Sequence, residues 1–402
     1  MKDQKRITKL AEQAIQTTID LVRIDSTNPG AGESEISQWI YRRLQRLLEA
    51  PAPVGGQFVL RKEEILPDRP MVMLRIQPQI TKEPALVMIC HQDTVVVGDG
   101  WQAETGPFSA AIIDDRLYGR GACDMKAGLA VALTLMEDHI SRIRGGEDWP
   151  QRELVLIASA DEEDFMRGVE YAISAGWVAA TDWVVDLEPT DGEIRVAHKG
   201  RTWIELTAIG QTAHASHPWE GVDAIAAIAE VITRFRQAVN QTKHHEELGQ
   251  STVTFGQIVG GYRPYVVPDR ATVWIDLRLV PPTTGDRAVD MLQTAMEQVK
   301  LSVAGIEFQY KITGNRPYIE KNNDSPLLAA IRQASEVVIG QAATVSVFNG
   351  YTDTAVIAGK MKNPNCLSYG PGSLDLAHKP NEYVPLKDIR RCVAVYDQLL
   401  SD

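Results

Sequence analysis

The sequence predicts an α/β domain with a largely parallel central sheet flanked by helices, interrupted by an inserted α+β domain. Three observations carry this expectation. Short apolar runs rich in β-branched residues alternate with amphipathic helical patterns through the first half of the chain. Three of those runs stop abruptly on polar donors, as strands do at the carboxyl edge of an open parallel sheet. From about residue 199 to 312 the pattern changes to single alternation with two helices, and after Ser325-Pro326 the α/β alternation resumes. The chain is therefore read as one discontinuous domain, residues 1–198 and 313–402, holding an insertion at 199–312.

Composition supports two domains and narrows the function. At 402 residues the chain exceeds what one small core needs, and 44% hydrophobic with 23% charged residues is ordinary for a soluble globular protein. No apolar run approaches the ~20 residues of a membrane span. The N-terminal Met1-Lys2-Asp3-Gln4-Lys5-Arg6 leads into an amphipathic pattern, so no export signal is read there. A formal net charge of −12 argues against binding a nucleic-acid backbone, which needs a basic footprint. The cysteines Cys90, Cys123, Cys366 and Cys392 form no C-x-x-C pair, which fits a reducing, cytoplasmic setting and small apolar packing roles.

Taken in order, Ile7, Leu10, Ala14, Ile15, Ile19 and Leu21-Val22 recur at helical spacing, and Asp25-Ser26-Thr27-Asn28-Pro29-Gly30 ends that helix with turn formers. A second helix runs from Glu33 to about Leu48. Strands follow at Phe58-Val59-Leu60 and Met71–Ile76. The run Ala85–Cys90 then ends on His91-Gln92-Asp93. Gly119-Arg120-Gly121 leads to Asp124 and a helix to about Ile140. Leu154–Ala160 ends on Asp161-Glu162-Glu163, a helix spans Gly168–Ala175, and Trp183–Leu187 ends on Glu188. Beyond His198 the order is strand 203–209, helix 222–239, strands 252–258 and 271–280, helix 287–300 and strand 307–312. That β-α-β-β-α-β order is the ferredoxin-like unit.

The chemistry lies at the strand ends. Two divalent ions of zinc type need imidazole and carboxylate donors, about four per ion with one position open. His91, Asp124, Glu162, Glu163 and Glu188 supply most of them, and the turn-rich Leu376-Ala377-His378-Lys379-Pro380-Asn381-Glu382 supplies a second histidine. If Asp124 bridges, each ion receives one His, one Glu and the shared Asp, and one acid remains as a general base. Singly, each donor has an ordinary structural reading. Glu162-Glu163 could be solvated charge, His378 a surface residue, Asp124 a helix cap and Asp93 a turn former. Together, at strand ends and in matching number, they read as a hydrolytic site.

With those residues in place, the sequence resembles the dinuclear zinc aminoacylase/carboxypeptidase family, which includes acetylornithine deacetylase, succinyl-diaminopimelate desuccinylase and glutamate carboxypeptidase. The matching stretches are Ser26-Thr27-Asn28-Pro29, His91-Gln92-Asp93, Gly119 to Gly128, Asp161-Glu162-Glu163, Leu187-Glu188-Pro189-Thr190 and Gly210 to Pro218. Thr352-Asp353, Gly370-Pro371-Gly372 and His378 to Val384 match later in the chain. The resemblance implies a catalytic zinc-binding domain with a lid/dimerisation domain inserted in it. It places His91, Asp124 and Glu188 on one ion, and Glu163, Asp124 and His378 on the other. The ions would be zinc, with cobalt or manganese as substitutes. Amide cleavage would proceed by a metal-bridged hydroxide with Glu162 as general base, Asp93 orienting His91 and His214 stabilising the oxyanion. Arg278 would bind a substrate carboxylate, and the loop of Gly370 and Gly372 would line the pocket. A cis peptide after Asp124 and a homodimer through the lid are also implied.

Three departures from the family pattern bear on substrate choice. Tyr265 stands where a substrate-contacting Asn is usual, Asp164-Phe165-Met166 follows the acidic triplet, and Tyr351 precedes Thr352-Asp353 where Gly is common. His139, His198, His217, His244 and His245 receive structural readings. The sequence thus points to a metal-dependent hydrolase of an N-acyl amino acid or short peptide. Carboxypeptidase or dipeptidase action is the alternative within the family, and a non-catalytic metal- or amino-acid-binding relative is the alternative outside enzymes.

Overall fold

The structure, a computed structural model, describes residues 2–401. Met1, part of the segment read for an export signal, and Asp402 lie outside the described residues. In chain order the elements are α1 (Lys2–Val22), α2 (Gly32–Leu47), β1 (Gly56–Leu66), β2 (Arg69–Pro78), β3 (Leu86–His91), β4 (Ile112–Ile113), β5 (Arg116–Tyr118), α3 (Ala127–Arg144) and β6 (Leu154–Ser159). They continue as α4 (Arg167–Ser174), β7 (Trp183–Asp186), β8 (Ile194–His198), β9 (Gly200–Ile209), α5 (Ala224–Asn240), β10 (Thr252–Gly260), β11 (Arg270–Leu279), α6 (Gly285–Ser302) and β12 (Glu307–Arg316). The chain closes with α7 (Pro326–Ile339), β13 (Val345–Phe348), α8 (Asp353–Met361), β14 (Cys366–Ser368), β15 (Tyr383–Pro385) and α9 (Leu386–Ser401).

Two compact units result. One takes the described residues of Met1–Val196, Lys321–Ser346 and Thr352–Asp402, and the other takes Ala197–Glu320 and Val347–Tyr351. The expected edge at residue 312 therefore moves outward. β12 continues to Arg316, and Ile319 still exchanges main-chain hydrogen bonds with His198, so the return crossing comes later than the apolar pattern suggested.

The first unit is built on an eight-stranded sheet ordered β1-β2-β6-β3-β7-β14-β8-β13. Its parallel part is the central set β6-β3-β7-β14, while β1, β2 and β8 pair antiparallel, so the sheet is mixed. Every residue of β3 and β6 is buried, which explains why both read as unbroken apolar runs rather than alternation. Helix α3 is buried on nearly all faces from Ala127 to Met136, and α2 turns Ile36, Ile40 and Leu44 inward at helical spacing. Ser325 caps α7 through the Leu328 N–H, with Pro326 in the first turn where its missing N–H costs nothing.

The second unit is the expected β-α-β-β-α-β arrangement, with an antiparallel sheet ordered β10-β11-β9-β12. Along β11, Ala271, Val273, Ile275, Leu277 and Leu279 pack with the buried residues of α5 and α6, and the intervening positions stay partly exposed. Asp223 and Thr284 cap those two helices. Among the described residues no helix is long and apolar enough to cross a membrane.

Candidate active site

All four parallel strands end at the same edge. His91 is the last residue of β3 and pairs in register with Ser159 at the end of β6, while Asp186 of β7 pairs with Ile89 and with Ser368 of β14. The Asp161–Glu163 loop, Glu188 and the Gly370 loop therefore leave the sheet side by side. This is the edge where side chains from separate segments can converge without any strand being bent out of the ladder.

Asp124 lies at the centre of the converging donors. Its Oδ1 is 2.9 Å from His91 Nε2, and its Oδ2 is 3.3 Å from His378 Nε2. Glu188 Oε1 lies 3.7 Å from His91 Nε2, and Glu163 Oε2 lies 3.2 Å from His378 Nε2. The peptide Asp124–Met125 is cis, as the resemblance implied, and His378 sits in the left-handed region at φ 63. Among the described residues, two donor sets have ligand atoms within 4.8 Å of one another: His91 with Glu162 and Glu188, and His91 with Asp124 and Glu163. Glu162, expected as the acid left over, thus lies among the donors.

Asp93 meets His91 through its main-chain carbonyl, with its carboxylate Oδ1 farther off, 3.7 Å from His91 Nδ1. His91 Nδ1 donates to the main-chain carbonyl of Asp93 at 2.9 Å, which leaves Nε2 as the nitrogen free to meet a cation. The Asp93 carboxylate is engaged elsewhere. It accepts from Asn28 Nδ2 at 2.8 Å and from the main-chain N–H groups of Glu162 and Glu163, each at 3.2 Å.

The electrostatics of the cluster call for added positive charge. Burial raises the pKa of Glu162 and Glu188 well above the ordinary carboxylate range, and neighbouring carboxylates push the same way against the opposing pull of His91. Glu163 is raised for the same reasons. Burial works against charge on His91, yet Asp124, Glu188 and Glu162 together hold its pKa well above the usual imidazole value. Asp124 stays ionised: burial opposes this, but His378 and His91 outweigh it. Its hydrogen bonds to Asp124 and Glu163 raise His378 to about 10. Four carboxyl groups facing two imidazoles, with Glu163 Oε1 buried and without a partner, are a donor set of hard oxygens and borderline nitrogens in excess negative charge. That chemistry fits divalent ions of zinc type.

The glycine-rich loop supports the ligands by close approach. A Cβ on Gly370 would stand 2.1 Å from the Leu187 carbonyl oxygen and 2.4 Å from that of Glu188. A Cβ on Gly372, at φ 89, would stand 2.5 Å from Cys123 Sγ, next to Asp124. Cys90 and Cys123 are buried free thiols, in keeping with packing roles.

The other expected site residues belong to the second unit. His214 is exposed, and its Nδ1 lies 2.7 Å from Ser216 Oγ and 3.2 Å from the Ser216 main-chain nitrogen. Tyr265 is exposed, and its carbonyl accepts from the Ala215 N–H. Arg278 already forks onto Asp276, with Nε and Nη2 at 2.8 and 3.1 Å from its two oxygens. Of the departures from the family pattern, Phe165 is exposed beneath the Arg167 guanidinium and Tyr351 is buried against His198.

Sequence reasoning missed a second layer of buried groups. Glu382 Oε1 receives the N–H groups of Cys123 and Asp124 at 2.9 and 3.1 Å, and its Oε2 meets Arg120 Nη1 at 2.5 Å. Asp353, the first residue of α8, accepts from Ser159 Oγ. Glu33 and Arg69 sit under the acidic loop. Glu382 and Asp353 lay inside matching stretches, and that position was the available signal. Glu33 in a first helical turn gave none.

Comparisons with known proteins give the chain's relatives and its family. A probable succinyl-diaminopimelate desuccinylase of Staphylococcus aureus is 28% identical over 331 residues, covering 75% of this chain and 79% of its own. An acetylornithine deacetylase of Photorhabdus laumondii is 28% identical over 326 residues, covering 79% and 80%. Among solved structures, an M20 family metallo-carboxypeptidase from Sulfolobus solfataricus superposes with a TM-score of 0.75 at 18% identity, over 96% of this chain and 98% of that one. The family described as Peptidase family M20/M25/M40 matches residues 87–402, the span holding every donor of the cluster, and the chain belongs to that family of hydrolases.

Proposed function

We propose that the protein hydrolyses the amide bond of an N-acylated amino acid or short peptide, using two divalent ions, zinc in the first instance. His91, Asp124 and Glu188 hold one ion, and Asp124, Glu163 and His378 hold the other. The observation that carries the reading is the division of Asp124, one oxygen toward each histidine, which is the disposition a bridging carboxylate needs. Bound there, the ions supply Lewis acidity toward the amide carbonyl and a water of lowered pKa.

The chain's own residues do the rest. Glu162 accepts the proton of the attacking water and returns it to the leaving amine, a task suited to a buried carboxyl whose proton affinity is raised. Asp93 holds the His91 ring through its carbonyl and the Glu162 main chain through its carboxylate. His214 offers a ring N–H to the developing oxyanion. Arg278 exchanges Asp276 for a substrate carboxylate, for which its planar fork is matched. Gly370 and Gly372 line the pocket, and Tyr265 is a substrate-contacting residue. The proposal includes a homodimer through the inserted unit and a cytoplasmic location.

Carboxypeptidase or dipeptidase action is the second reading, and Arg278 would receive the substrate carboxylate in either. A panel of N-acetyl, N-succinyl and dipeptidyl amino acids separates the two. Glu162→Ala is expected to keep its zinc and lose most turnover, about 10²-fold or more. Near-normal turnover in that variant would sink the assignment of the base. Bound zinc with no hydrolysis of any amide by the wild type would replace the enzyme reading by that of a binding protein.

A further inference from the structure

The loop Asp161-Glu162-Glu163 leaves β6 with Asp161 in the left-handed region, at φ 66. Three successive main-chain N–H groups of this loop point into buried carboxylates from other segments. Those of Glu162 and Glu163 reach Asp93, and that of Asp161 reaches Glu33 Oε1 at 2.9 Å. Glu33 therefore does for the first residue of the loop what Asp93 does for the next two.

Glu33 is fully buried in the first turn of α2, where the helix dipole favours its negative charge. A carboxylate so placed needs a countercharge. Arg69, at the start of β2, provides it: Nε binds Glu33 Oε2, and Nη2 lies 2.7 Å from Asp161 Oδ1. Arg167, at the start of α4, closes the loop from its other end, with Nε and Nη2 at 2.5 and 2.8 Å from the same Asp161 carboxylate. Neither Glu33 nor Arg69 faces the converging histidines through a direct hydrogen bond or ion pair. Their contacts run to the loop's first residue.

We propose that Glu33 and Arg69 are positioning residues: together they fix the main chain of Asp161 so that Glu162 and Glu163 enter the site from a rigid loop. The inference rests on the reading of Glu162 as base and Glu163 as ligand. It goes beyond that reading by placing the origin of the loop's geometry in α2 and β2, more than 90 residues earlier in the chain.

The test compares Glu33→Ala, Glu33→Gln and Arg69→Lys in the full-length protein. Deuterium uptake at the amides of Asp161–Glu163 is measured first and does not depend on turnover. Faster exchange is expected there in Glu33→Ala, with a smaller change in Glu33→Gln, whose amide oxygen can still accept the Asp161 N–H. On the best substrate of the panel, kcat is expected to fall about 10- to 100-fold in Glu33→Ala, with KM within about threefold, since a misplaced base costs turnover more than binding. Glu33→Gln should recover part of that loss, and Arg69→Lys should resemble it, keeping the charge without the fork. A merely structural role would lower the melting temperature and leave loop exchange and kcat of the folded protein unchanged, which would overturn the proposal. If the wild type cleaves no member of the panel, the functional reading fails, and the exchange measurement still decides the positioning role.

Discussion

Arg120→Met would leave the Glu382 carboxylate buried with its guanidinium gone. Both side chains are 1% exposed, with Nη1 and Oε2 2.5 Å apart, so water cannot take over the lost interaction without opening the site. Removing one partner of such a pair costs about 3–5 kcal/mol. Arg120 also donates to the carbonyls of Val96 and Val97, which lose those bonds too. Burial first, then Asp124, already raise the Glu382 pKa, and Arg120 opposes them together with the main-chain N–H groups of Asp124 and Cys123. Without Arg120 the folded pKa rises further above the unfolded one. The folded state then binds the extra proton, so the variant is least destabilised at low pH and most destabilised above the raised pKa. Arg120→Met/Glu382→Gln should recover much of the loss, because the Gln oxygen can still accept from Cys123 and Asp124 with no charge to bury. Urea denaturation of the metal-free proteins at pH 5 and 8 gives the double-mutant cycle. A single variant within about 1 kcal/mol of wild type at pH 8, or a double variant no more stable than the single, would refute the assignment.

Gly370→Ala should destabilise by about 3 kcal/mol or more and weaken zinc binding, since its Cβ would overlap the main chain of Leu187 and Glu188. Thermal unfolding and zinc titration check it, and a neutral outcome would show the loop to be free to move. Burial, with Arg142 adding to it, lowers His139 to about 4 from an ordinary 6.5. The unfolded chain therefore takes up the proton first as pH falls from 6.5, and stability drops toward pH 4 by roughly 3 kcal/mol in total. His139→Gln should flatten that part of the stability–pH curve, read from urea midpoints at pH 7 and 4.5, and an unchanged slope would assign it to other groups.

What could be read in the sequence follows from which physical constraints leave a periodic trace. β3, β6 and β7 were legible because both faces of the parallel strands are covered, which turns each into an apolar run that must stop where the sheet stops. β11 was legible for the opposite reason, one covered face giving strict alternation. The short strands β4, β5, β8, β14 and β15 were not. Two to five residues carry no period, and their pairing is set by neighbours distant in sequence. The insertion's far edge was misplaced for a related reason: β12 loses its apolar alternation after Ile312, yet its main chain stays paired with β9 through Arg316 across an irregularity near Gly314.

The site divides along the same line. His91, Asp124, Glu162, Glu163 and Glu188 could be named because strand ends and a glycine turn expose donors in fixed order. The atoms they use could not. Asp93 looked like an acid beside a histidine, but its carbonyl takes the ring N–H while its carboxylate takes two main-chain amides of the acidic loop. Glu382 does the same for Cys123 and Asp124, and Glu33 for Asp161. In each case a buried carboxylate holds the main chain that carries a donor, and each pairing joins segments with no relation in sequence. The arrangement has a physical reason. Main-chain amides beside a cluster of acids cannot be satisfied by a sheet that has already ended, and buried carboxylates are strong acceptors for them. Two of the three bring an arginine, Arg120 for Glu382 and Arg69 for Glu33, so the added charge is neutralised at a distance from the donors and the cluster keeps its own deficit of positive charge.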